Sequence, residues 1–214
     1  MSSLKESWST SQTIVRVEHP QRYTGLERII LAAQGDLQRL LSAYFANTIT
    51  VQVVSLTNSP RLSPASPSNP ITQQRQVLLK CRNVVVCTAT STVTLTSPEC
   101  ERIILDEGYA IGQAFRSMGR VPEFRLVKVM SGLEDEEGEG EGEQGEGMQG
   151  ERDKGEGEQM LKRVYTLGSP GIDCLILEEF PSRDMFVDGD KWISREIARC
   201  ARNAASDTDG SGSE

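Results

Sequence analysis

The stretch from Arg75 to Leu95, RQVLLKCRNVVVCTATSTVTL, constrains the fold more than any other part of the chain. Two runs rich in β-branched and apolar residues flank Arg82-Asn83, a pair suited to a tight turn. The pattern predicts strands over 75–81 and 84–95. Val77, Leu78, Leu79, Val84, Val85, Val86, Val93 and Leu95 carry the content of a buried sheet. Arg75 does not fit that content, because it opens the first strand with no acidic neighbour. Its guanidinium either snorkels to solvent or faces a pocket, and the hairpin alone leaves both open.

Further strands are predicted over 48–56, 123–130, 162–167 and 172–180. The last two pair as a hairpin across Ser169-Pro170-Gly171, which sets Val164/Tyr165 against Leu175/Ile176. Residues 26–45 hold two helical blocks separated by Gln34-Gly35. In the second block Leu37, Leu40, Leu41, Tyr44 and Phe45 recur at spacings of three and four. A short helix is expected over 100–105, another from Ile111, and a closing helix over 192–201. Pro60, Pro64, Pro67 and Pro70 mark 57–72 as a surface loop.

The net charge of −8 is unevenly spread. Residues 134–158 contain 12 acidic and 2 basic residues, so the remainder carries about +2. The Gly/Glu tract 133–159 has almost no apolar content to offset ordering, so it reads as a disordered insertion. The expected organisation is a flexible arm over 1–22, one domain over 23–200 and a disordered tail over 201–214. No basic stripe with interleaved aromatics appears, so no nucleic-acid partner is expected. No apolar run approaches the ~20 residues needed to span a bilayer, so no membrane partner is expected.

The start, MSSLKESWSTSQ, lacks the apolar core of a signal peptide. The five cysteines form no CxxC pair, and there is one histidine. These features argue for reduced thiols, a cytoplasmic location and no metal site. The sequence leaves the oligomeric state open, with a monomer as the default expectation.

Three features point to a small-molecule site. Gly35-Asp36 and Gly112 each place a glycine at a helix start, where backbone can approach an anion closely. The local alternatives are a capping Asp36 and a plain turn glycine. Glu178 and Glu179 end an otherwise apolar strand, and a period of two sends one of them inward. An inward carboxylate needs a partner, for which Arg75 is a candidate.

Five blocks in order resemble the chorismate pyruvate-lyase family: RIILAAQGDLQRLLSAYF (28–45), RQVLLKC (75–81), AIGQAF (110–115), KRVYTL (162–167) and LILEEFP (175–181). The resemblance spans most of 26–186 outside the loop and the acidic tract. It implies an α+β domain with an antiparallel sheet of about six strands and helices on one side. It also implies conversion of chorismate to 4-hydroxybenzoate and pyruvate without a cofactor.

Arg75 then matches the family's catalytic arginine, and Glu178 its glutamate, or Glu179 with a one-residue gap. The backbone amides of Asp36 and Ile111, beside Gly112, match those that hold the aromatic carboxylate. Thr90-Ser91 stands where bacterial members carry a second arginine, which makes Thr90 a substrate-binding candidate. The alternative is a non-catalytic domain of this fold that binds a small aromatic acid.

Overall fold

A computed structural model describes residues 20–131 and 160–208. The acidic insertion, the arm before Pro20 and the tail after Thr208 lie outside these residues. Six strands are present: β1 (Ile49–Asn58), β2 (Ile71–Cys81), β3 (Val84–Leu95), β4 (Glu123–Ser131), β5 (Leu161–Ser169) and β6 (Ile172–Phe180). They form one antiparallel sheet in the order β1-β2-β3-β6-β5-β4.

The helices are α1 (Gly25–Leu31), α2 (Leu37–Tyr44), α3 (Pro98–Glu101), α4 (Ile111–Ser117), α5 (Met185–Asp188) and α6 (Asp190–Thr208). This is the expected α+β architecture. α6 extends beyond the expected 192–201 and takes in the start of the expected tail.

The hairpin of β2 and β3 turns at Arg82 and Asn83, with φ of 48° and 68°. Two successive left-handed residues match the twist of the flanking strands. β5 and β6 alternate cleanly between a buried and a more exposed face, whereas β1 is exposed after Ile49; the buried face of the sheet lies under the helices. Two apolar clusters fill that face. In one, Ile30, Leu31, Leu41 and Phe45 pack with Cys81, Val86, Phe180, Phe186 and Ile193. In the other, Ile103, Ile104 and Phe115 pack with Val93, Leu95, Ile172 and Cys174.

The proline-rich connection between β1 and β2 is tied down. The Ala65 amide donates to Glu101 Oε2 at 2.7 Å, and Arg61 Nε donates to Glu101 Oε1 at 2.8 Å. Arg61 also reaches Asp106 at 2.6 Å, just before the residues that lead into α4.

α1 begins with a reciprocal cap. The Thr24 amide donates to Glu27 Oε2 at 2.7 Å, and the Glu27 amide donates to Thr24 Oγ1 at 3.3 Å. This is the Thr-x-x-Glu pairing that satisfies free donors at a helix start. Arg183, which follows β6, donates to the same carboxylate at 2.6 and 3.0 Å. Burial pushes the Glu27 carboxyl up, but Arg183 and Thr24 outweigh it and leave it below its usual range.

A lowered folded-state value means that this stabilisation is present at neutral pH. It is lost as pH falls below 4.5 and through the folded value. Glu27→Gln is expected to cost about 1–3 kcal/mol at pH 7 in urea denaturation. That difference from the unmodified protein should shrink steadily in acid.

Candidate functional site

The two clusters meet around a cavity of about 250 Å³. Its apolar wall comes from Val51, Val53 and Leu56 of β1, Val77 and Leu79 of β2, Ala89 of β3, and Leu167 and Ile176 of β5 and β6. Against this background stand a few polar groups: Arg75, Ser91, Tyr165, Glu178, Gln38, Gln113 and Arg116. An apolar cavity with a few convergent polar groups is the usual form of a small-molecule site.

Glu178, not Glu179, is the inward carboxylate. It is 5% exposed, and its neighbours Ile176 and Phe180 share its buried face. Glu179 turns outward and pairs with Lys162 at 3.0 Å. The partner of Glu178 is Arg163, not Arg75. Arg163 Nε donates to Glu178 Oε2 at 2.7 Å, and the Tyr165 hydroxyl donates to Oε1 at 2.8 Å.

Arg163 is fully buried. Its Nη1 donates to the carbonyls of Ile30, Leu31 and Ala33 at 2.8, 2.9 and 2.8 Å. Its guanidinium also lies 4.5 Å from the centre of the Tyr165 ring. Burial pulls the Arg163 guanidinium down, but Glu178 outweighs it and holds the group above its usual value. Burial, then the Glu178 charge, push the Tyr165 phenol well up, so it is a hydrogen-bond donor at neutral pH.

Arg75 is half-buried and lines the cavity. Its Nε lies 3.3 Å from Ser91 Oγ, and its Nη1 lies 3.4 Å from the Tyr109 carbonyl. Both acceptors are neutral. Among the described residues no carboxylate comes within ion-pair distance of it. Burial pulls its guanidinium down. The nearby Cys174 thiol is pushed up to about 12 by burial, so it carries no charge at neutral pH. The site therefore contains a desolvated cation without a counter-charge.

The two glycine-marked helix starts touch. Gly35 has φ +83°, and a Cβ added at Gly112 would lie 3.1 Å from the Gly35 carbonyl oxygen. Gly35, Ile111 and Gly112 all line the cavity. The Asp36 side chain does not line it and does not cap α2. It pairs instead with Arg116 at 3.4 Å, so only its backbone is available to the cavity.

Thr90 is misplaced in the sequence reading. It is exposed, its hydroxyl accepts from Gln76 at 3.4 Å, and it is absent from the cavity lining. Buried Val93 and Leu95 fix the parity of β3, which puts Ser91 inward and directly opposite Arg75.

Sequence reasoning missed Arg163, Tyr165, Ser91 and Arg116 as site residues. For the first two a signal existed. The hairpin across Ser169-Pro170-Gly171 is one position out from the expected register, with Val164 opposite Leu177 and Tyr165 opposite Ile176. The true register places Arg163 opposite Glu178 and Lys162 opposite Glu179.

Among the described residues no group of three or more His, Cys, Asp or Glu could hold a metal ion. No family model matches the chain, and no curated protein matches it.

Removing Arg163 would leave Glu178 buried without its cation, and removing the Glu178 carboxyl would strand Arg163. Arg163→Met is expected to cost about 3–5 kcal/mol in urea denaturation. The double variant Arg163→Met/Glu178→Gln should recover part of that loss, because no lone buried charge remains.

Proposed function

We propose that the chain is a lyase that converts chorismate, or a close relative, to 4-hydroxybenzoate and pyruvate. The observation that carries this reading is Arg75, a half-buried guanidinium facing an apolar cavity with no carboxylate beside it. Such a group favours an anionic ligand, and its planar fork suits a carboxylate. The sequence blocks that resemble the chorismate pyruvate-lyases supply the identity of that ligand. The cavity, at about 250 Å³, is of a size for a one-ring acid and not for a large cofactor.

Chorismate carries a ring carboxylate and an enolpyruvyl carboxylate. Arg75 holds the enolpyruvyl end. The backbone at Asp36 and Ile111 receives the ring carboxylate, where unpaired amides at two helix starts favour negative charge. The reaction breaks the ether C–O bond to the ring and removes the proton from the adjacent hydroxyl-bearing carbon. The electron pair of that C–H bond completes the aromatic ring. The departing enolpyruvate takes up a proton at its methylene carbon and becomes pyruvate. Every atom of chorismate is found in the two products, and there is no net oxidation.

Glu178 is the group for the ring proton. Arg163 and Tyr165 each take one lone pair of its oxygens, which fixes the carboxylate and leaves others free to accept. Aromatisation supplies the driving force, so the reaction needs neither metal nor organic cofactor.

Purified Arg75→Ala and Glu178→Gln are each expected to fold and to lose pyruvate release by at least about a hundredfold. Gln is the better replacement at 178 because it keeps hydrogen-bonding capacity toward Arg163 and Tyr165. Full activity in Arg75→Ala would overturn the assignment. Tight binding of 4-hydroxybenzoate with no turnover of chorismate would instead favour a binding domain of the same architecture.

A further inference from the structure

Within the cavity reading above, we propose that Arg116 forms a second anion subsite at the mouth, held by Asp36 until a ligand carboxylate takes its place. This inference rests on the proposal that the cavity receives an aromatic dicarboxylate. A dicarboxylate brings two charges, whereas among the described residues that line the cavity the sheet supplies one arginine, Arg75. The strand beside it is neutral where it lines the cavity, with Ala89 and Ser91. Arg163 is committed to Glu178 and to three carbonyls, and it does not line the cavity.

Arg116 is the other arginine on the lining. It stands on α4, one turn after Gly112. A helical side chain leans toward the N-terminus of its own helix. Its Nη1 accordingly lies 3.9 Å from where a Cβ at Gly112 would be, directly over the glycine-marked start. Its side chain is 57% exposed, so the guanidinium sits at the opening and is not buried in the wall.

Its present partner is weakly held. Asp36 Oδ1 lies 3.4 Å from Arg116 Nη1, and the Asp36 side chain is 52% exposed. Asp36 stands where a capping residue would, yet makes no side-chain cap to α2. Its other contact is Arg39 at 3.9 Å, also exposed. Exposed pairs of this kind contribute at most about 1 kcal/mol. Exchanging the Asp36 carboxylate for a ligand carboxylate therefore costs little. It keeps Arg116 paired throughout and leaves Asp36 the contact with Arg39. Asp36 sits between Gly35 and Leu37, which line the cavity, and its side chain competes with the ligand for Arg116.

Calorimetric titration with two probes tests this. One is 4-hydroxybenzoate, with a single carboxylate. The other is 3-(1-carboxyvinyloxy)benzoate, which carries both carboxylates on an already aromatic ring and cannot react. Both probes carry the ring carboxylate that meets Arg116 at the helix starts, so Arg116→Gln is expected to weaken both about fivefold. Asp36→Asn, which keeps the backbone, is expected to strengthen the dicarboxylate by a similar factor. The gain should disappear when combined with Arg116→Gln and should shrink as salt is raised.

No weakening of either probe by Arg116→Gln, or weakening of the dicarboxylate alone, would overturn the subsite while leaving the cavity reading intact. Failure of both probes to bind the unmodified protein would overturn the cavity reading, and the subsite with it.

Discussion

A buried arginine on β5 joins the sheet to the helical layer and to the site at once. Arg163 is fully shielded from water, a position that is costly unless every charge is compensated. Its compensation comes from two directions. Glu178 on the next strand supplies the counter-charge, and the end of α1 with the residues just after it supplies the carbonyls of Ile30, Leu31 and Ala33. The negative end of the α1 dipole faces the same guanidinium. One side chain therefore sets the orientation of Glu178 and the position of the α1–α2 connection, which carries Gly35 and Asp36. The carboxylate and the helix start that border the cavity are placed relative to each other by this single group.

The second arginine of the site is its opposite. Arg163 is buried and donates from Nε and Nη1 to Glu178 and three carbonyls, with its Nη2 left without a partner among the described residues. Arg75, by contrast, is half-buried and meets only a hydroxyl and a carbonyl. Partly removed from water, with a neutral Cys174 thiol nearby, it has interaction capacity to spare. The difference comes from register. Arg163 lies directly opposite Glu178, while Arg75 lies opposite Ser91. Two cations on one face of one sheet thus differ in surroundings: Arg163 is tied to Glu178 and to carbonyls, and Arg75 faces the cavity with no carboxylate in ion-pair distance among the described residues.

Much of the sheet was legible from residue patterns because alternation and turn chemistry are local. The limits of β3 and β6 agree with expectation, and the turn at Arg82-Asn83 adopts the left-handed pair that its residues suggest. The inward placement of Glu178 or Glu179 followed from a period of two. Choosing between them needed the parity set by the buried Ile176 and Phe180. The error at Thr90 has the same root, since a shift of one position along a strand changes the face.

Arg163 was hidden for a different reason. A Lys-Arg pair at a strand start reads as solvated charge, and only cross-strand pairing with Glu178 and Glu179 reveals that the two lie on opposite faces. The Arg116–Asp36 pair joins residues 80 positions apart and leaves no local trace. The β1–β2 connection read as a plain surface loop because its tie to Glu101 is likewise non-local.

The account's central claim is that this cavity performs an elimination on chorismate, and product stoichiometry tests it most directly. The unmodified protein, incubated with chorismate and no added metal or cofactor, should release pyruvate and 4-hydroxybenzoate in equal amounts as chorismate disappears. Chorismate left unchanged beyond its spontaneous decay, or consumed without matching amounts of both products, would contradict the account.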